Sequence, residues 1–538
     1  MAEAQAVVIG AGPNGLVAAN ILADAGWRVL VLEAQGVPGG AVRSDRGVHP
    51  DFVNDLFSSF HPLAVASPAI GALDLAAHGL RWSHAPAVLA HPSSEGRCAV
   101  LRRGVEETAR GFGGADADAW RRLSGLWDRL DPHLVDALFA PFPPVRAGLG
   151  MAGRVRLADL PGLLRFATLP VRRLGEEEFA DPGPGLLLAG CALHADLLPD
   201  APGSAVFGWL MAMLGQRHGW PAPVGGAGAL TDALCRRLES LGGEVRCDAR
   251  VATVVVRAGR ALGVVTEDGD AIRATRAVLA DVSAPALYGR LVGWDDLPPR
   301  LRDDMRRFQW DPGTVKVDWA LDGPIPWSAR EAAEAGTVHV GADLNELSDH
   351  AVQVATGRLP ARPFALLGQM TTTDPSRSPA GTESAWAYSH VPRRVVEDLG
   401  GQRLTGSWDR SEADAYADRI EEQVERFAPG FRDRIAARRI LTPRTLRGLD
   451  ENLVDGALNG GTSAIHQELF LRPTPGTGRP ETPVARLYLA SASAHPGGGV
   501  HGACGANAAR AALRGHRLTR GRLVTPGVAA TRYLLARS

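Results

Sequence analysis

Gly10, Gly12 and Gly15 make up the stretch GAGPNG, which directly follows the short apolar run Ala6 to Ile9. After it come LVAANILADAG, with helical spacing, and WRVLVLEA, which ends on Glu33 and Ala34. In a strand, turn and helix of this kind the first glycine permits a tight turn. The second lets backbone approach a pyrophosphate, and the third lets the helix pack closely on the strand. Pro13 and Asn14 open the helix, whose N-terminal partial positive charge faces phosphates. Glu33 stands where an acid accepts hydrogen bonds from a ribose and repels a 2′-phosphate. The pattern predicts an adenine dinucleotide site for FAD or NAD and disfavours NADP.

Two further clusters point the same way. PGGAVRS (Pro38 to Ser44) sets Gly39, Gly40 and Ala41 before Arg43, whose guanidinium can neutralise phosphates. Near the C-terminal end, Arg486 to Leu513 reads as a strand, a glycine turn and a helix of small residues. Ser491, Gly498, Gly499, Val500 and Ala503 lie in that turn and helix start, where backbone can again come close to a ligand.

PGGAVRS resembles the GG-R-S/T motif of the flavin-containing amine oxidase and phytoene desaturase superfamily. GAGPNGLVAA and HPGGGVHGACGANAA resemble its phytoene desaturase-like branch, which includes carotenoid desaturases and isomerases and the pyridine nucleotide-disulfide oxidoreductase domain-containing proteins. The resemblance implies one non-covalent FAD held between the first and last segments, with Val251 meeting the adenine through its backbone. The chain departs from the pattern at Ser491-Ala492, where the family often has Gly-Asp or Gly-Glu. Cys504 does not match the cysteine used for covalent attachment, and the absence of any CxxC removes a redox disulfide.

Oxidation of a C–H bond by a flavin needs the donor carbon held against N5 and a group that manages a proton. The chain has one lysine, Lys316, among 58 basic residues, so the other 57 (58 − 1) are arginines. It lies in GTVKVDWAL, read as an alternating strand, and resembles the lysine that amine oxidases place beside N5 to hold a water. His495 and His501 flank the C-terminal glycine turn and are candidate substrate contacts or proton relays. In FVNDLFSSFHPLA, Asp55 is a fourth catalytic candidate, near Ser58, Ser59 and His61. No Ser-His-Asp elbow, P-loop or HExxH occurs, so hydrolase and NTPase readings lack residues, and no metal site is expected.

These residues need a large framework, and 538 residues supply one. A net charge of −1 excludes a global electrostatic footprint for nucleic acid. Five scattered cysteines and no long apolar run fit a cytoplasmic protein without a membrane span. The predicted fold is α/β. A discontinuous Rossmann-type FAD-binding domain (1–105, 221–290, 480–538) joins an α+β substrate domain with a helical lid (106–220, 291–479). Helices are expected over 117–130, 204–215 and 230–241, and a hairpin at Asp268-Gly269. Leu186 to Leu188, Trp209, Leu210, Met211, Met213 and Trp220 form an apolar set suited to an apolar substrate channel, and such helices also allow peripheral membrane contact.

The expected activity is an FAD-dependent oxidoreductase of desaturase or dehydrogenase type. Its substrate would be a largely apolar isoprenoid, polyene or polyketide-like molecule, with oxygen or a quinone as electron acceptor. A flavin-dependent non-redox isomerase would share every motif. Amine oxidase-like C–N oxidation is less favoured, because aromatic residues usually flank the amine and Tyr488 is the one tyrosine between Arg486 and Leu513. A flavin-bearing binding protein without turnover is a further alternative, and oligomeric state stays open.

Overall fold

In the computed structural model, which describes residues 2–93, 96–131, 133–519 and 524–536, β1 (Ala2–Ile9) runs through the interior with Ala6, Val7 and Val8 fully buried. Gly10 follows at φ +94°, and a Cβ there would meet the main-chain oxygen of Asp281 at 2.7 Å. The chain therefore turns at once into α1 (Pro13–Asp24), with Gly12 extended before it and proline in its first turn. β2 (Val29–Leu32) returns parallel to β1.

Next come β3 (Ala87–Pro92), β4 (Cys98–Leu101) and α2 (Gly114–Leu130). They are followed by α3 (Val145–Ala152), α4 (Leu160–Thr168), α5 (Pro182–Ala192), α6 (Ser204–His218) and α7 (Gly228–Ser240). β5 (Glu244–Arg246), β6 (Val251–Arg257), β7 (Arg260–Thr266) and β8 (Ala271–Ala280) come next. β9 (Gly313–Leu321), β10 (Ala335–Val340), β11 (Ala365–Gln369), β12 (Glu383–Val391) and β13 (Ile435–Leu441) precede α8 (Pro443–Leu449), β14 (Leu487–Leu489) and α9 (Ala503–Thr519).

One sheet has the order β6-β7-β8-β1-β2-β5, with β14 also paired to β8. Its β14, β8, β1, β2 and β5 are parallel, and β6 to β8 form an antiparallel meander whose second turn carries Gly269 at φ +87°. Three separate stretches of chain thus build the predicted α/β nucleotide-binding layer. α9 lies against α1 because its glycines admit it: a Cβ on Gly502 would stand 2.6 Å from Val17, and one on Gly505 would run into the main chain of Asn14.

The other sheet has the order β13-β9-β12-β11-β10-β3-β4. β3 pairs parallel with β10, so the first nucleotide-domain segment ends before Ala87 and does not reach residue 105. β9 does not alternate between wet and dry faces, since every residue from Gly313 to Leu321 is buried. α5 and α6 cover the β3–β4 end of this sheet, and Trp120, Leu187, Leu188 and Leu214 are fully buried in that core. Each such side chain contributes about 1.5–3 kcal/mol of burial free energy. Among the described residues, no helix is long and apolar enough to cross a membrane.

Candidate active site

Both sheets contribute to one cavity of about 1500 Å³. A single small-molecule pocket occupies roughly 300–1,000 Å³, so this one has room for a cofactor and a substrate. At one end the lining is Gly10, Gly12, Pro13, Asn14, Glu33, Ala34, Gly40, Ala41, Arg43, Val251, Ser491, Gly498, Gly499 and Val500. Gly15, Gly39 and Ala503 stand behind this wall. Gly15 N–H donates to Asp281 Oδ2 (2.8 Å), Gly39 N–H to the Ala11 oxygen (2.9 Å) and Ala503 N–H to His501 Nδ1 (3.0 Å).

Glu33 is held rigidly at this end. Its carboxylate accepts the Ala11 N–H (2.8 Å) and the Gln35 N–H (2.9 Å). Arg43 donates to the Gly40 oxygen (2.9 Å) and the Leu449 oxygen (2.8 Å), fastening the second glycine turn to the end of α8. The backbone geometry suits a dinucleotide: Gly10, Gly40 and Gly499 have positive φ, and a Cβ on Gly498 would meet Asn459 at 2.8 Å. Asn14 Oδ1 is buried at the cavity wall without a partner among the described residues, as an acceptor awaiting a ligand donor would be.

The other end is apolar. Phe60, Leu63, Leu134, Leu138, Phe139, Phe142, Trp209, Leu210, Met211, Trp220, Trp310, Trp386 and Tyr388 form its walls. The apolar set predicted from the sequence divides here: Trp209, Leu210, Met211 and Trp220 face the cavity, while Leu186 to Leu188 and Met213 belong to the packed core. Trp386 and Tyr388, on one face of β12, stack with centroids 5.9 Å apart.

Lys316 is buried and faces the same cavity. Its Nζ donates to the Asp55 main-chain oxygen (2.8 Å) and to the carboxylate of Asp318, and lies 5.8 Å from the Trp386 ring centre. Burial pushes its pKa down while Asp318 opposes that shift. Arg439 then links Asp318 (2.8 Å) to Asp45 (2.8 Å).

The other catalytic candidates are placed differently. Asp55 does not line the cavity, because its carboxylate accepts from Ser44 Oγ (2.6 Å), the Ala227 N–H (2.8 Å) and Arg377 (3.0 Å). His501 spends both ring nitrogens on backbone, at Gly497 O (3.2 Å) and Ala503 N (3.0 Å), which leaves none for substrate. His495 bonds the Ala140 oxygen (2.9 Å) through Nε2, and its Nδ1 is buried without a partner among the described residues. Burial depresses both to about 4, so both are neutral at pH 7. Ser58 and Ser59 line the wall beside His61, which bonds Ser58 (3.0 Å).

Residues 14–513 match the family of flavin containing amine oxidoreductases. The chain belongs to that family. Among curated relatives, the rat pyridine nucleotide-disulfide oxidoreductase domain-containing protein 2 is 30% identical, over 95% of this chain and 94% of its own. A neurosporene-forming phytoene desaturase of Cereibacter sphaeroides is 25% identical, over 93% and 92%. The fold is shared with an oxidoreductase structure from Methanosarcina mazei, at TM-score 0.62 and 16% identity over 95% of this chain and 99% of that one.

The protein is thus an FAD-dependent oxidoreductase, and the glycine-lined end of the cavity fits that cofactor. Two acids at this end of the cavity escaped the sequence reading. Asp281, directly after β8, takes the Gly15 N–H, and burial raises its pKa to about 8 against that bond, with Asp450 and Glu33 adding repulsion. Asp450 also lines the cavity, its pKa raised by burial. An acid at the carboxyl end of a parallel strand, next to the glycine turn, is the one local signal that marks Asp281. Among the described residues, no group of three or more His, Cys, Asp or Glu could hold a metal.

Proposed function

We propose that this flavoenzyme desaturates or dehydrogenates a largely apolar substrate of isoprenoid, polyene or polyketide type. The observation that carries this reading is the aromatic and aliphatic chamber sharing one cavity with the dinucleotide cradle. The name of the Cereibacter relative, a phytoene desaturase, supports the reaction type.

When bound, FAD supplies the hydride acceptor. The chain's own residues do the rest. Gly10, Gly12, Asn14, Glu33 and Arg43 hold the dinucleotide, and the apolar walls exclude water and align the substrate chain. Lys316, with two donors fixed on Asp55 and Asp318, turns its remaining N–H toward the cavity to orient a water that takes the second hydrogen as a proton. Oxygen or a quinone is the proposed final acceptor.

The cytoplasm is the proposed compartment, consistent with free thiols at Cys98, Cys191, Cys235, Cys247 and Cys504. Peripheral membrane contact belongs to the proposal as well. Exposed Val145, Leu149, Leu157 and Leu164 lie in the segment between Pro144 and Ala167, both of which line the cavity.

The test is anaerobic mixing of the oxidised holoenzyme with isoprenoid, polyene and amine candidates while the flavin band is recorded. Bleaching by an apolar class with one desaturated product per flavin supports the proposal. Bleaching by amines alone refutes it and supports C–N oxidation. Product formation only after prior reduction of the flavin, with no acceptor consumed, refutes it in favour of the isomerase.

A further inference from the structure

We infer that His194, backed by His339, is a specificity-determining hydrogen-bond donor for one carbonyl or hydroxyl oxygen on an otherwise apolar substrate. The inference rests on the apolar-substrate reading and sharpens it: the substrate carries an oxygen function remote from the reacting carbon.

The argument begins with protons. His194 lines the cavity, and its Nε2 lies 2.9 Å from Nε2 of His339, so one ring donates and the other accepts. His339 is fully buried, and its Nδ1 has no partner among the described residues. That edge presses on α5 at Gly190, where any Cβ would collide with the imidazole. An unpaired buried N–H is rarer than an unpaired acceptor, so His339 keeps a bare lone pair on Nδ1 and its proton on Nε2. His339 is therefore the donor to His194, and His194 carries its own proton on Nδ1. That nitrogen has no hydrogen bond among the described residues, and His194 lines the cavity. Burial holds the pKa of His194 down at about 3, which keeps the ring neutral and the tautomer pair intact at pH 7.

A second polar atom marks the same region. Thr337, two residues from His339 and on the same face of β10, lines the cavity with a buried, partnerless hydroxyl. An entirely hydrocarbon ligand would leave both groups unsatisfied. Strand register gives the location: Lys316 pairs with Tyr388, Tyr388 with Leu366 and Leu366 with His339. Three strand spacings separate the proton-handling lysine from the histidine pair by roughly 14 Å.

The experiment titrates the intact holoenzyme with farnesylacetone and with the hydrocarbon in which a methylene replaces its carbonyl oxygen, following the shift of the flavin band. The wild type is expected to bind the ketone about tenfold more tightly. His194→Phe should abolish that preference by weakening the ketone alone, His339→Leu should reduce it, and His339→Gln, whose amide can still donate, should restore it. In histidine-labelled protein, 15N spectra should place the proton of His194 on Nδ1. Equal binding of the two ligands by the wild type, a preference that survives His194→Phe, or a proton on His194 Nε2 overturns the inference. If neither ligand shifts the flavin band, the apolar-substrate reading itself falls, and the inference falls with it.

Discussion

Nζ of Lys316 donates a 2.8 Å hydrogen bond to the main-chain oxygen of Asp55, joining the substrate-side sheet to the segment that follows the second glycine motif. The lysine is thereby fixed in place by a group 261 residues away in the chain. Lys316→Met is expected to slow anaerobic flavin reduction about 100-fold while FAD content stays at one per chain. Lys316→Arg should recover little, because a planar guanidinium does not reproduce a point-like ammonium. Stopped-flow spectroscopy on the flavin band is the measurement, and an unchanged rate in Lys316→Met would remove the lysine from the chemistry.

Asp55 is expected to act on stability and not on turnover. Burial alone would raise its pKa, yet Arg377 and the bonds from Ser44 and Ala227 bring it below the ordinary 3.8. A carboxyl lowered in the folded state contributes its full stability above pH 3.8 and loses it as pH falls further. Asp55→Asn leaves buried Arg377 with Asp374 as its one remaining carboxylate among the described residues and should cost about 3 kcal/mol in denaturant unfolding at pH 7. Folded Asp55→Asn should still reduce its flavin at close to the wild-type rate.

Asp281 has the opposite sign. Its folded pKa of about 8 exceeds the ordinary 3.8, so folding takes up a proton between these values and wild-type stability falls as pH rises through that window. Asn at position 281 can still accept the Gly15 N–H and does not ionise. Asp281→Asn should therefore melt at a higher temperature than wild type, by a margin that grows from pH 5 to pH 8 and then levels off. Above pH 8 the ionised wild-type residue would add a negative charge to the glycine-lined end of the cavity, which disfavours an anionic dinucleotide. FAD affinity, followed by flavin fluorescence, should drop there in wild type and hold steady in the variant.

The exposed leucines near the cavity predict lipid binding. Leu149 and Leu157 are 71% and 89% exposed, in a segment that also carries Arg146, Arg154 and Arg156. Co-sedimentation with vesicles containing phosphatidylglycerol should fall about threefold when Leu149, Leu157 and Leu164 are all changed to Ser. No difference between the variant and wild type would set the membrane contact aside.

Much of the cofactor end was legible because its signals are local. Gly10, Gly12 and Glu33 work within one strand, turn and helix, where steric freedom and a charged end dictate residue type directly. The substrate end was legible only as a composition. Trp209 and Leu187 look alike in sequence, yet one faces the cavity and the other the core, because that choice depends on which helix packs behind them. β3 and β4 read as part of the nucleotide segment until the pairing with β10, made far along the chain, assigns them to the other sheet.

By itself, the sequence determined the glycine turn after β1, the α/β layer around it, the flavin family and the singular position of Lys316. Only the tertiary structure decided what the titratable residues do. Asp55 became a buried partner of Arg377, His501 a backbone staple, and Asp281 an acid held beneath the glycine turn. The physical reason is that a side chain's role follows from burial and from the partners that reach it. For Asp55 and Asp281 those partners, Arg377 and Gly15, stand 322 and 266 positions away, where no local spacing rule applies.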